Sequence, residues 1–581
     1  MAQQGPRPLP GLPGVTLERD VPCRMRDGVT LSADIYRPEG EGPFPVILMR
    51  LPYDKTSAEN ITYADPSWYA RHGYIVVIQD NCGRCASEGE FVPFAREAAD
   101  GYDTIEWAAR LPGANGKVGM YGFSYAGATQ LLPATLRPPS LVTICPAMTA
   151  SQYYEGWTYN QGALALAFTM SWATQLASGD ARRAKDTASL AQLDMAFAGI
   201  HGWHWFLPLR DYPPLSGEYG GYFSDWLAHP TYDDYWRRWS IDEDYGRLTT
   251  PALHIAGWYD IFLAGSVKNY LGMRTGAGSE EARAGQKLVI GPWLHMPWAP
   301  VSDSAAGVEP TVIDDLQLRW FDQFLKGNET GVMEASVSLY VMGAEEWRDY
   351  PDWPPPGSEP VRWYLHSGGR ANSRFGDGVL SLDPPGDEPP DIFTYDPAYP
   401  NLSLGGHSCC FSFVSPMGPV DQRAAEELNS LLVYTSEPLT KPMELIGDVM
   451  VTLFAATSAV DTDWTARLCE VYPDGRSINL QEGIVRARYR DSLTEPSLLE
   501  PGRVYRYEIP LGPVGVRIAA GNRLRLTVAS SDFPQWDRNL NTGGPLIGES
   551  LTDAVVARQT VLHDGDHASY VTLPVVTAGR A

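Results

Sequence analysis

GKVGMYGFSYAGATQ (residues 116–130) passes from an apolar, strand-like run into small residues, with Ser124 at the join. KVGMYG has the length and composition of a buried strand, and Ala126, Gly127 and Ala128 open what reads as a helix. A strand, a sharp turn and a helix push the hydroxyl of the turn serine clear of the backbone, and the tight turn leaves no room for large neighbours. The strict G-x-S-x-G pattern is not met, because Ala126 fills the second glycine position and Gly127 follows one later. On this stretch alone, a packing serine in a strand-to-helix turn reads equally well. The rest of the chain has to supply a base, an acid and an oxyanion donor.

Outward from Ser124, the first half of the chain alternates short apolar runs with helical patterns. The runs are PFPVILMR (43–50), GYIVVIQD (73–80), SLVTICPAM (140–148), TPALHIAGW (250–258) and QKLVIGPW (286–293). Runs this short and this rich in β-branched residues suit buried parallel strands. EAADGYDTIEWAARLP (97–112) has helical spacing and ends at proline. The expected class is therefore α/β, a parallel sheet with helices on both faces. RDVPCRMRDGVTLSADIYRP precedes it as an entry hairpin turning at Asp27-Gly28.

The rhythm predicts four segments. Residues 1–150 and 247–352 form the two parts of an α/β domain. Residues 151–246, rich in Trp, Tyr and Ala with helical periodicity, form an inserted helical cap. The proline-dense WRDYPDWPPPGSEP (347–360) reads as a linker, and residues 353–581 as an all-β jelly-roll domain. That last segment has short alternating runs such as GDVMVTLFAAT, GRVYRYEIPL and GNRLRLTVASS.

Bulk properties exclude several functions. A net charge of −25 over 581 residues, with 44% hydrophobic and 20% charged positions, describes a globular chain that a nucleic-acid backbone or an anionic membrane repels. No apolar run is long enough to span a bilayer. The start, MAQQGPRPLPGLPG, has no basic-then-apolar secretion pattern. Seven cysteines make no disulfide framework, and the odd count fits a reducing compartment, so a cytoplasmic location is expected. Oligomeric state is left open, a homo-oligomer included.

A serine hydroxyl needs an imidazole base, and the imidazole needs a carboxylate to orient it. AGWYD ends at Asp260 directly after one apolar run, and GPWLH ends at His295 directly after the next. Strand C-termini are where open α/β sheets build their sites, and the order Ser124, Asp260, His295 is the α/β-hydrolase order. His254 falls within a strand and reads as a core histidine. Asp461 and Asp463 read as ordinary strand-edge aspartates.

Together, RLPYDK (50–55), IQDNCGRCASEGEF (78–91), DGYDTIEWAARLPGANGKVGMYGFSYAG (100–127), GWYD (257–260) and GPWLH (291–295) resemble the cocaine-esterase family, grouped with the X-prolyl dipeptidyl aminopeptidases. The distal runs DTDWTARLCEVYPDGRSINLQEGIVRARYR (461–490) and GNRLRLTVASSDFPQWDRNLNTGG (521–544) resemble its C-terminal domain. The resemblance implies an α/β-hydrolase domain, a helical cap and a jelly roll. It also implies the nucleophile motif G-x-S-Y-x-G, which accounts for Ala126. Ser124, Asp260 and His295 take the triad positions, and the Tyr53 hydroxyl with the Tyr125 N–H takes the oxyanion hole. Phe262 would line an acyl pocket, with Tyr153, Tyr154, Trp157 and Trp172 of the cap as further apolar surface. No metal or organic cofactor is implied.

Relatives that recognise a free amino group place acids two and three positions after the catalytic aspartate; here Ile261-Phe262-Leu263-Ala264 is apolar. A small-molecule ester is the expected substrate. An amide, cleaved by an amidase, acylase or X-prolyl dipeptidyl peptidase using the same triad, is the alternative, although Glu155 could still supply an acid. A non-catalytic binding protein with a carbohydrate-binding jelly roll is a third reading. It is disfavoured by the intact triad. In DNCGRCASEG (80–89), Cys82 stands where the family usually has arginine, which puts that arginine's salt bridge in doubt. Cys82 and Cys85 make a C-x-x-C without further metal ligands in view. HDGDH (563–567) reads as a hairpin turn, and Cys409-Cys410 as two buried small hydrophobes or a loop feature.

Overall fold

The structure is a computed structural model that describes residues 7–8, 14–57, 63–295, 311–410 and 417–577. Most of the proline-rich start lies outside the described residues. Among those described, the first sheet has eleven strands, seven of them parallel. These are β1 (Phe44–Leu51), β2 (Ile75–Asp80), β3 (Ala114–Phe123), β4 (Leu141–Ala147), β5 (Ala252–Tyr259), β6 (Gln286–Leu294) and β7 (Val337–Val341). Their spatial order is β2-β1-β3-β4-β5-β6-β7. The first six coincide with the apolar runs. The seventh escaped the pattern because only alternate residues are buried. It lies next to the edge, paired antiparallel with Glu346–Tyr350.

The apolar runs are continuous because both faces are covered. Val46 and Leu48 of β1 pack with Ile105 and Leu131 on one face. Ile47 and Met49 pack with Tyr69, Trp320 and Phe321 on the other. That two-sided burial keeps the runs mostly apolar, and the polar residues they do carry, such as Arg50 and His254, are buried with partners. The hairpin Val15–Arg24/Thr30–Pro38 extends the sheet antiparallel from β2, with its turn at Asp27-Gly28 as expected.

Three helices matter for the site: α1 (Tyr125–Ala134), α2 (Leu166–Ala184) and α3 (Leu263–Gly276). α2 belongs to the mostly helical stretch between β4 and β5. It buries Trp172, Leu176 and Ala177 in the same apolar cluster as Leu131 of α1, so the cap shares its core with the sheet.

The second eleven-stranded sheet belongs to the all-β jelly-roll domain and is antiparallel apart from one pairing, Val379 with Thr435. Its longest pair joins Met443–Thr457 to Tyr505–Ile518. Three expectations need correction. The first residues of the proline-dense stretch are the edge strand Glu346–Tyr350, and Trp353 is buried between the two sheets' clusters, so little of that stretch is a free linker. HDGDH is not a hairpin turn: the strands on either side of it both run antiparallel to Met443–Thr457, one after the other. The loop between them instead carries His563 to Asp391 (2.9 Å) and Glu388 (3.1 Å). Asp461 and Asp463 are buried and held by Arg488 and Arg486, each at 2.8–2.9 Å.

Candidate active site

β3 ends at Phe123 and α1 begins at Tyr125, leaving Ser124 alone in the turn with φ 59° and ψ −125°. A non-glycine residue holds that conformation only when its surroundings over-determine it. Here the Ser124 N–H donates to Ala147 O at 2.9 Å, and its own carbonyl accepts from the Gly127 and Ala128 N–H groups. A Cβ on Gly122 would stand 2.7 Å from the Ala126 Cβ, and one on Gly127 would stand 2.7 Å from the Thr149 Cβ. The second required glycine thus falls at 127 rather than 126, because that is where α1 meets the chain leaving β4.

Asp260 follows β5, and His295 follows β6. The His295 Nδ1 lies 2.6 Å from Asp260 Oδ1, and its Nε2 lies 3.0 Å from Ser124 Oγ. Both Asp260 and His295 are buried, at 0% and 2% exposure, so water does not compete for these bonds. With Nδ1–H donating to the carboxylate, Nε2 is left as the acceptor for the serine proton. His254 is no rival base. It sits buried in β5 against Gln286 (2.8 Å), and burial pushes its imidazole down to about 4.

The acid loop is held from the jelly roll. Asp260 forms a parallel bridge with Ser408, the Tyr259 hydroxyl donates to Asn479 O at 2.8 Å, and His407 Nε2–H donates to Trp258 O at 2.8 Å. His407 Nδ1 meets Glu482 Oε1 at 2.9 Å, so both ring nitrogens face acceptors, an arrangement that favours the imidazolium. Burial opposes that charge, yet the Glu482 carboxylate outweighs burial and raises the His407 pKa. Burial likewise opposes ionisation of Glu482, but His407 and Arg467 bring it down to about 2. Gly515 completes the clamp, since a Cβ there would stand 2.1 Å from the Trp258 ring.

The oxyanion candidates are set from the cap side. Trp172 Nε1–H donates to the Tyr53 Oη at 3.1 Å, leaving the phenol proton free to point elsewhere. Burial pushes that phenol up to about 12, so Tyr53 remains a donor at neutral pH. The Tyr125 N–H opens α1 and has no acceptor within its own helix. Its side chain is an anchor, with the hydroxyl donating to Glu97 Oε1 (3.0 Å) while accepting from the Phe94 N–H (2.8 Å), and Glu97 pairs with Arg50 (2.9 Å).

Sequence reasoning missed Arg84. This buried guanidinium donates to Pro52 O (2.9 Å), next to Tyr53, and to Leu176 O (3.1 Å) and Asp180 (2.5 Å) of α2. Cys82, its neighbour, is a core residue beside Cys23, Met25 and Leu31, and the thiols of Cys82 and Cys85 are free. Desolvation, then the carboxylates Asp80 and Asp54, raise the Cys85 pKa and keep it a thiol.

Of the expected acyl-pocket residues, Phe262 meets His295, and Trp157 packs behind it. The Phe262 ring stands edge-on to His295 at 5.1 Å and stacks on Trp157 at 4.2 Å, and Trp157 lies 5.5 Å from Trp172. Tyr154 does not meet them. Its hydroxyl donates to Pro230 O, and its ring packs on Tyr159, Tyr232 and Trp236, inside the cap. Glu155 accepts from the Gln161 backbone and side chain, and burial pushes its carboxyl up to about 7. It lines a cavity of about 180 Å³ that reaches Asp260, Lys268 and Glu482 but not Ser124. Cys409 and Cys410, expected to be buried small hydrophobes or a loop feature, are joined as a disulfide.

Residues 27–297 match the family described as X-Pro dipeptidyl-peptidase (S15 family), and residues 330–572 match the X-Pro dipeptidyl-peptidase C-terminal non-catalytic domain. Among individual proteins, the chain is 38% identical to a cocaine esterase of Rhodococcus sp. (strain MB1 Bresler), over 95% of this chain and 97% of the relative. In three dimensions it resembles an aminopeptidase from a marine sediment archaeon, Thaumarchaeota archaeon (TM-score 0.80, 25% identity, 98% of both chains). It also resembles an α-amino acid ester hydrolase (TM-score 0.78, 25% identity, 98% of both chains).

Proposed function

Because this chain belongs to the family that unites cocaine esterase with the X-Pro dipeptidyl-peptidases, we propose that Ser124 is the nucleophile of a serine carboxylesterase. The protein is a serine hydrolase of carboxylic esters. The observation that carries the assignment of roles is the unbroken hydrogen-bond chain Asp260–His295–Ser124, built at the C-terminal ends of β3, β5 and β6.

In this reading His295 Nε2 takes the Ser124 proton as Oγ attacks the ester carbonyl. Asp260 holds the ring tautomer and stabilises the imidazolium. The oxyanion receives the Tyr53 hydroxyl and the Tyr125 N–H, which must aim at the oxygen that gains charge. His295 then protonates the leaving alcohol, and the same nitrogen deprotonates the water that frees the acid from Ser124. Phe262 and Trp157 offer an apolar, aromatic wall for the acyl group; Tyr154 belongs to the cap core. The apolar residues after Asp260 leave an ammonium group without a partner beside the triad, which favours neutral esters over substrates with a free amino terminus.

The same reading assigns residues 1–150 and 247–352 to the hydrolase domain, 151–246 to the cap and 353–581 to the jelly roll. It places the protein in the cytoplasm, on the strength of its cysteine usage. p-Nitrophenyl acetate, butyrate and benzoate assayed against the matching p-nitroanilides test the function. Ester turnover is expected, with anilides silent, and Ser124→Ala should lower ester kcat by about 10⁶. Anilide turnover would move the assignment to an amidase or peptidase, and equal rates in wild type and variant would remove Ser124 from the mechanism.

A further inference from the structure

Cys409 and Cys410 are far from His295 in sequence but not in space. Asp260 bridges to Ser408, and His407 is bonded to Trp258, so the next two residues of the jelly roll are delivered to the triad. One ligand atom from each of His295, Cys409 and Cys410 lies within 4.8 Å of the other two. Cys409 is buried, and Cys410 is half-buried and so open to solutes. The proposed ester hydrolysis uses neither sulfur.

We propose that Cys409 and Cys410, when reduced, complete with His295 a soft-metal site, and that Zn²⁺ bound there shuts the esterase off. The proposal rests on the reading of His295 as the general base. Two thiolates and an imidazole are the donors zinc prefers, and three protein ligands leave a fourth position for water. Donors around a tetrahedral zinc are about 3.3–3.8 Å apart, given bond lengths of about 2.0–2.3 Å. The three ligand atoms, all within 4.8 Å of one another, reach that spacing by side-chain adjustment once the sulfurs are free to separate.

In the disulfide state the sulfurs carry no thiolate. A dithiol in the cell, or a phosphine in the test tube, supplies the two electrons. The phosphine becomes its oxide, water supplies the oxygen and the two protons, and the S–S bond becomes two thiols. Zn²⁺ then displaces both thiol protons. A metal on His295 Nε2 removes the base from Ser124, and a metal on Nδ1 removes the ring from Asp260. Either binding mode stops proton transfer. The pair thus links activity to both thiol redox state and zinc.

The test uses the full chain with Cys85→Ser as background, because Asp54, Asp80 and Cys85 form the other such cluster among the described residues. The oxidised protein is expected to retain no zinc after desalting and to hydrolyse p-nitrophenyl acetate at the same rate with or without micromolar ZnCl₂. After a phosphine reductant, two further thiols should titrate and one zinc per chain should be retained, as read with a chromophoric chelator. Ester turnover should then fall by about 100-fold, with recovery in EDTA. Cys409→Ser/Cys410→Ser should keep its activity and ignore both reagents. Reduced protein that retains no zinc, or equal inhibition of the Cys409→Ser/Cys410→Ser variant, overturns the proposal. Zinc retained without loss of Ser124-dependent turnover would keep the site but remove its control of the enzyme. Absence of any Ser124-dependent turnover would defeat the esterase reading, while zinc retention would still decide the site.

Discussion

The two halves of the triad are held in different ways. Ser124 is fixed by its own neighbourhood, with Gly122, Ala126 and Gly127 shaping the turn and Ala147, from the adjacent strand, bonding its N–H. The Asp260 loop is fixed from outside, by His407, Asn479 and Gly515 of the jelly roll. Tyr53 is likewise tied to the cap, directly through Trp172 and through Arg84, which joins Pro52 O to Asp180 of α2. The Ser124 turn is set locally by β3, α1 and the end of the neighbouring β4, whereas the groups proposed to support it depend on three segments meeting.

This contrast can be broken at either end, and among the supporting groups the largest effect is expected at the oxyanion hole. Tyr53→Phe removes only a hydroxyl, yet kcat for esters should fall about 10²–10³-fold with little change in KM. An unchanged kcat would leave Tyr53 as packing. At the elbow, Gly127→Val drives a branched side chain into Thr149 and should displace Ser124, lowering kcat about 100-fold while the far-ultraviolet circular dichroism stays native. Full activity would mean that the turn tolerates more than its geometry suggests.

At the acid loop, His407→Gln should change kcat only a few-fold but cost about 2 kcal/mol of stability at pH 6, the worth of a hydrogen bond to a charged group. The sign follows from the raised His407 pKa. The charged ring's contribution is complete below the ordinary imidazole value of about 6.5 and is lost as pH rises through the raised one. Denaturant midpoints of wild type and variant should therefore converge from pH 6 to pH 9. A gap that widens with pH would contradict the imidazolium assignment.

The same contrast explains what the sequence discloses. Buried parallel strands, the elbow at Ser124, and Asp260 and His295 at strand ends are local patterns, and each was legible. Strand β7 was not, because only alternate residues are buried. Tyr53 emerged only through family resemblance, since nothing in RLPYDK marks a hydroxyl donor. Trp172, Arg84 and His407 act across 119, 32 and 149 residues of chain, and no local periodicity encodes such a meeting. Tyr154 failed for a related reason: a cap rich in aromatics has helical spacing on every side, so composition does not say which rings turn toward the triad. HDGDH misled because Asp-Gly between two strand-like runs looks the same whether the strands pair with each other or both pair with a third.

The clamp on the acid loop also constrains how chains of this architecture can be recombined. Residues 257–260 fit a jelly roll that carries histidine at 407 and no side chain at 515. Residues 50–55 with Arg84 fit a cap that carries Trp172 and Asp180. A chimera cut at the domain borders would separate both matched sets and inherit a sound nucleophile beside a misplaced acid. Crossovers that move 407, 479 and 515 together with the Asp260 loop, and Arg84 together with α2, keep each lineage's catalytic parts with their own supports.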